Sequence, residues 1–305
     1  MKDCSCSVTL GSVSEGLLET FAAVRSRCPA LHQILVPDEV WPDFQQWHRQ
    51  PADKVDFHQS ILLLAMERGH LYRVTSAVHR YLVTAGLPRP DVRQQYLQDL
   101  RERWMLYSDP HERHQKSRMF LGRLVELQFA EWLELQGWTI SGLEALRQGP
   151  DIEAHRGGDR VTAFEVKYIG VEDADFAMVL RSLAGQDAGG PVSPYAAPNY
   201  LLLRVYNAAK QLQKTTYGRI AVLVVDALTW YRFEPPLRAN WINWANPTFL
   251  SADATWEAFL VRQPEYPDLL ADLRPALQSL DAIWILRRAD SYQYHREVEI
   301  PIGGA

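Results

Sequence analysis

The sequence predicts an α/β protein: a central mixed sheet with a helix on each side, preceded by an all-helical N-terminal region. Three stretches carry that prediction. Residues 151–167 form two strand-like runs about a short Gly-containing connection, the pattern of an antiparallel hairpin. Residues 219–226 are a nearly continuous apolar run, the mark of a strand buried on both faces. Residues 117–136 carry Leu121, Val125, Phe129 and Trp132 as a stripe at helical spacing.

In chain order, residues 1–112 read as a helical domain and 113–305 as the α/β domain. Within the first, 15–27, 57–68, 71–85 and 91–107 show helical spacing, with breaks near Pro29, Pro51, Pro88 and Pro110. Residues 1–110 hold 12 Lys/Arg against 13 Asp/Glu, so they offer no excess of positive charge for phosphate. The readings open to them are a cap on the sheet or a substrate-reading, dimerisation or partner-docking module. His111-Glu-Arg-His114 is one residue short of the spacing that puts two histidines on one metal, and reads as a solvated linker.

The helix over 117–136 has Ser117 as its expected N-cap and Gly137 as its C-cap. Glu126 falls on the flank of the apolar stripe, one turn beyond Gly122. By position alone it reads as a solvated boundary residue or a third acidic candidate.

The hairpin sets a register. Centring the turn on Gly158 makes facing residue numbers sum to 316, so His155 faces Val161 and Asp151 faces Glu165. Facing residues have Cβ atoms ~4.5–5.5 Å apart, and like charges there destabilise a sheet. Alternation puts Lys167 on the face of Glu165 and turns Val166 the other way. Two opposed carboxylates need a positive partner, here a divalent cation with a lysine beside it. Against an ordinary solvated hairpin stand Ala163, Phe164, Val166 and Ile169, which make the second strand apolar as a central strand is.

A second helix is expected over 200–214, with Asn207, Gln211 and Lys214 on one face and Lys210, Gln213 and Tyr217 on another. The last strand is expected at 282–288, with 298–302 finishing the chain. Residues 170–199, rich in Gly, Pro, Asp and Ala, read as a lid or substrate-facing loop. An insertion near 229–280 holds Trp230, Tyr231, Phe233, Trp241, Trp244, Phe249 and Trp256. These aromatics are either core or a platform for unpaired bases, worth ~1–3 kcal/mol each.

Pro150-Asp151 followed by Glu165-x-Lys167, in the order helix, two strands, helix, strand, resembles the PD-(D/E)XK phosphodiesterases, the superfamily of restriction endonucleases and many repair nucleases. The likeness spans roughly 116–228. It implies a restriction-endonuclease-like sheet core and hydrolysis of phosphodiester bonds, in DNA rather than RNA. By that resemblance Asp151 and Glu165 ligate a metal, the Val166 carbonyl is a third ligand, and Glu126 completes the set. Lys167 orients or deprotonates the attacking water or stabilises the transition state. The second helix supplies a glutamine that meets substrate or a metal-bound water, for which Gln211 is favoured over Gln213. Magnesium suits a site of few carboxylates, with manganese as a substitute. The resemblance also implies a bacterial restriction, anti-phage defence or repair role, with a protein partner or a homodimer through the helical region. The alternative is a catalytically inactive nuclease fold serving as a nucleic-acid-binding or scaffolding subunit.

Composition sets outer bounds. The chain has 305 residues, 47% hydrophobic and 23% charged, ordinary for a globular protein able to bury a core. A net charge of −5 gives no global basic footprint, so any nucleic-acid groove must be local. Cys4, Cys6 and Cys28 cannot build a disulfide framework and suit a reducing cytoplasm. The pair Cys4 and Cys6 reads as a frayed terminus rather than a metal site. The absence of an apolar run near ~18 residues argues against membrane spanning.

Overall fold

A computed structural model describes residues 79–84, 90–94, 110–144, 149–158, 160–170, 197–226, 269–288 and 294–302, with single positions at 22, 26 and 77. The cysteines, the loop over 171–196 and the aromatic tract over 230–256 lie outside the described residues. So do most of the N-terminal helical segments; among the described residues there, His79–Thr84 is π-helical and 90–94 is helical.

The chain divides into two compact units. One comprises Met1–Glu131, Glu172–Gly189 and Asp290–Tyr292, the other Trp132–Val171, Gly190–Ala289 and Gln293–Ala305. The division falls inside a helix instead of at 112. That helix, α1, runs from Pro110 to Leu135. It begins earlier than the expected Ser117 cap because proline, read from sequence as a break, is well placed in a first helical turn, where its missing N–H is no loss. His111 and His114 are therefore helical, not linker. In the first unit α1 buries Leu124, Val125, Leu127, Phe129 and Ala130. Its other end follows the sequence: Gly137 takes φ +83°, Gly137 N–H bonds the Glu134 carbonyl and Trp138 N–H bonds that of Leu133. That is a Schellman cap, which needs a residue comfortable in the left-handed region.

In the second unit six strands form one mixed sheet in sequential order. They are β1 (Thr139–Leu143), β2 (Ile152–His155), β3 (Val161–Ile169), β4 (Gly218–Asp226), β5 (Ala282–Arg288) and β6 (Tyr294–Pro301). β1, β2 and β3 pair antiparallel, β3, β4 and β5 parallel, and β6 antiparallel to β5. Parallel neighbours need crossover connections. Those after β3 and β4 contain α2 (Ala197–Leu212) and α3 (Leu269–Gln278). α2 packs on β3 and β4, and α3 lies against α2. Val222, Leu223, Val224 and Val225 are all fully buried, as a strand covered on both faces requires.

The chain is thus α/β with a mixed sheet and helices. β1 and α3 are additions to the sequence reading. β1 is short and carries Thr139, Ser141 and Gly142, which dilute its apolar signal, and α3 contains an internal Pro275. Among the described residues, no helix is long and apolar enough to cross a membrane.

Candidate active site

The hairpin register is the one expected from sequence. Ile152 pairs with Phe164, Glu153 with Ala163, Ala154 with Thr162 and His155 with Val161, each summing to 316. Gly157 in the connection has φ +63°, a conformation that favours glycine. Pairing on the other side of β2 sums to 295 at its end, where Leu143 meets Ile152. Continuing both ladders by one residue aligns Glu144, Asp151 and Glu165 in a row across three adjacent chains. Glu144 N–H donates to the Asp151 carbonyl at 2.9 Å, in keeping with that alignment.

Asp151 sits just ahead of β2 and is 8% exposed. Its Oδ2 accepts the Val166 N–H at 2.8 Å. Ladder pairing between β2 and β3 stops at Phe164, so the carboxylate supplies an acceptor where the neighbouring strand no longer does. Val166 therefore meets Asp151 through its amide, whereas the resemblance implicates its carbonyl. Carboxylate oxygens of Asp151 and Glu144 lie within 4.8 Å of one another. Glu144 has φ +40°, a left-handed conformation costing a non-glycine residue roughly 1–2 kcal/mol.

Glu165, in the middle of β3, is fully buried. A buried carboxylate is costly unless paired. Its partner is Lys167, whose Nζ donates to Oε1 at 2.5 Å. Lys167 Nζ also donates to Gln211 Oε1 of α2 at 2.6 Å. Strand alternation puts both charged groups on one face of β3, and the bond to Gln211 identifies that face as the one covered by α2. An ordinary solvated hairpin does not describe this arrangement, because both acids are buried and the lysine is held from two sides.

The structure thus brings Glu165, Lys167 and Gln211 into one hydrogen-bonded chain, and joins Asp151 to the same strand through the Val166 amide. Asn207, on the same helix as Gln211, and Gln213, in the turn just past its end, are exposed. Glu126 belongs to the first unit. It is half-buried there, and Arg123 Nη1 donates to its Oε2 at 2.9 Å from one turn earlier. Glu144 was missed from the sequence because it falls outside the motif, at the end of a strand whose register had not been assigned.

Two further titratable groups are shifted. Burial raises the Glu153 carboxyl above its ordinary value. The exposed Lys210 ammonium is raised by its hydrogen bond to Asp272, at 3.1 Å.

Comparison with family models, curated proteins and solved structures gives no match.

Proposed function

We propose that this protein is a metal-dependent nuclease of the PD-(D/E)XK kind, hydrolysing phosphodiester bonds in DNA. One observation carries the reading: two buried acids are held at one strand, Asp151 by the Val166 N–H and Glu165 by Lys167. An apolar sheet interior gains nothing from such a set, and replacing a buried ion pair with packed hydrophobic groups is often neutral or stabilising.

The donors fit a hard cation. Carboxylate oxygens of Glu144 and Asp151 lie within 4.8 Å of one another, and such ligands suit magnesium or manganese; the resemblance adds Glu165. Bound there, the ion supplies Lewis acidity toward a phosphate and lowers the pKa of its water.

The chain's own groups do the rest. The Val166 N–H fixes Asp151 Oδ2 and so orients the carboxylate. Lys167 keeps a positive charge beside the acids, where it stabilises negative charge growing on phosphoryl oxygens and aligns the attacking water. The burial of Glu165 excludes bulk solvent, which strengthens these interactions. A role in restriction, anti-phage defence or repair accords with the resemblance, as does a protein partner.

Supercoiled plasmid incubated with the protein and magnesium tests this. The expected result is nicking that EDTA stops and that Asp151→Asn lacks. Intact plasmid in both magnesium and manganese, with protein shown to be folded, would count against it.

A further inference from the structure

We infer that Gln211 is a positioning residue that acts through Lys167 and does not itself touch the substrate. The inference rests on the hydrolytic reading and narrows it, since the resemblance gives this glutamine a direct contact with substrate or water.

The geometry is specific about which end of the amide matters. Lys167 Nζ lies 2.6 Å from the Gln211 side chain. An ammonium carries donors only, so the atom facing it is the carbonyl Oε1, whichever way an amide is first drawn. Gln211 therefore offers the lysine an acceptor. The other acceptor, Glu165 Oε1, belongs to the lysine's own strand, two residues back. Alone it would pull the ammonium along β3 toward the carboxylate. Gln211 pulls from α2, a different element packed on the same strand, and so holds the ammonium between two anchors. Asn207, one helical turn before Gln211, is exposed, as is Lys214 beyond the end of the helix. Gln211 is itself half-buried, as a residue turned toward the strand should be.

Two substitutions at one position separate this role from substrate contact. Gln211→Glu keeps an acceptor for the ammonium but removes the amide donors and adds a negative charge, which a phosphate would repel. Gln211→Met keeps the length and loses the acceptor. Single-turnover cleavage at fixed pH should fall ~10–100-fold in Gln211→Met, the value of a hydrogen bond to a charged group, with KM unchanged. Gln211→Glu should retain more activity than Gln211→Met, because its carboxylate still accepts from the Lys167 ammonium. In a Lys167→Ala background Gln211→Met should add no further loss, because the two residues act as one.

A spectroscopic arm needs no catalysis. The Lys167 side-chain ammonium, assigned by its loss in Lys167→Arg, should give a slowly exchanging ¹H–¹⁵N signal in wild type and Gln211→Glu that weakens in Gln211→Met. Activity lost as far in Gln211→Glu as in Gln211→Met, with KM raised, overturns the proposal in favour of phosphate contact. An ammonium signal indifferent to Gln211→Met overturns it too. Failure of wild type to cleave would sink the hydrolytic reading instead, and the ammonium signal would still decide whether Gln211 holds Lys167.

Discussion

The two faces of β3 are built by opposite rules. On one face Phe164 packs edge-on against Trp138, ring centroids 5.3 Å apart, and tilted against Trp284 at 5.4 Å. Trp132, in the last turn of α1, closes on Trp284 at 6.3 Å, and Arg296 stacks over that ring at 4.9 Å. On the other face, one residue along the same strand, Glu165 is equally buried but charged, and is held by Lys167. The aromatic face needs no purpose beyond folding, because each large ring buried there is stabilising in itself. The charged face carries desolvation that its ion pair at best offsets. A fold that keeps a buried acid where an apolar residue would serve as well invites a functional explanation.

Substitutions can break this contrast, from large effects to small. Trp284→Ala removes the ring shared by Phe164, Trp132 and Trp138 and should cost ~3–5 kcal/mol in urea unfolding. Lys167→Met should approach that, at about 3 kcal/mol, because it leaves the Glu165 charge buried without its ammonium. The double variant Glu165→Met/Lys167→Met sharpens the comparison. Its stability should return to wild type or exceed it, measured by the same unfolding curves, while cleavage stays lost. A double variant as unstable as Lys167→Met would mean that the charged face supports the fold in its own right.

Gly170 gives a smaller effect. A Cβ there would meet Tyr168 Cε1 at 2.7 Å, so Gly170→Ala must displace the tyrosine ring. The expected cost is ~1–2 kcal/mol, read from the midpoint of thermal unfolding.

Smallest is a pH effect at Glu153. Its folded-state carboxyl is raised by burial above the ordinary 4.5. The folded state therefore binds more protons than the unfolded one, and stability declines as pH rises from the ordinary value through the raised one. Glu153→Gln should remove that decline, so the variant gains on wild type as pH rises through this window and is level with it below. Urea titrations at several pH values check the sign.

Sequence made the centre of the sheet legible and left its margins obscure. The hairpin register followed from one turn and a period of two, so the four observed pairs, each summing to 316, could be written down from residue numbers alone. β5 was read at its full extent, 282–288, because a short apolar run there is buried along nearly its whole length. β1 escaped because five residues with a glycine and two hydroxyls look like a loop until β2 gives them a partner. Glu144 escaped with it. Its place in the acidic row depends on a second register, and no local pattern announces it. The start of α1 failed for a different reason, since proline signals both a break and a first helical turn, and Pro110 is the latter. Gln211 was distinguishable from Gln213 only by where α2 ends and which of its residues meets β3, a matter of tertiary packing.

The most direct test is single-turnover cleavage of plasmid DNA in magnesium by wild type and by the Glu165→Met/Lys167→Met variant, both shown folded by circular dichroism. The account predicts strand cutting by the first and none by the second at equal or greater stability. Equal cutting by both would place the chemistry somewhere other than the charged face of β3.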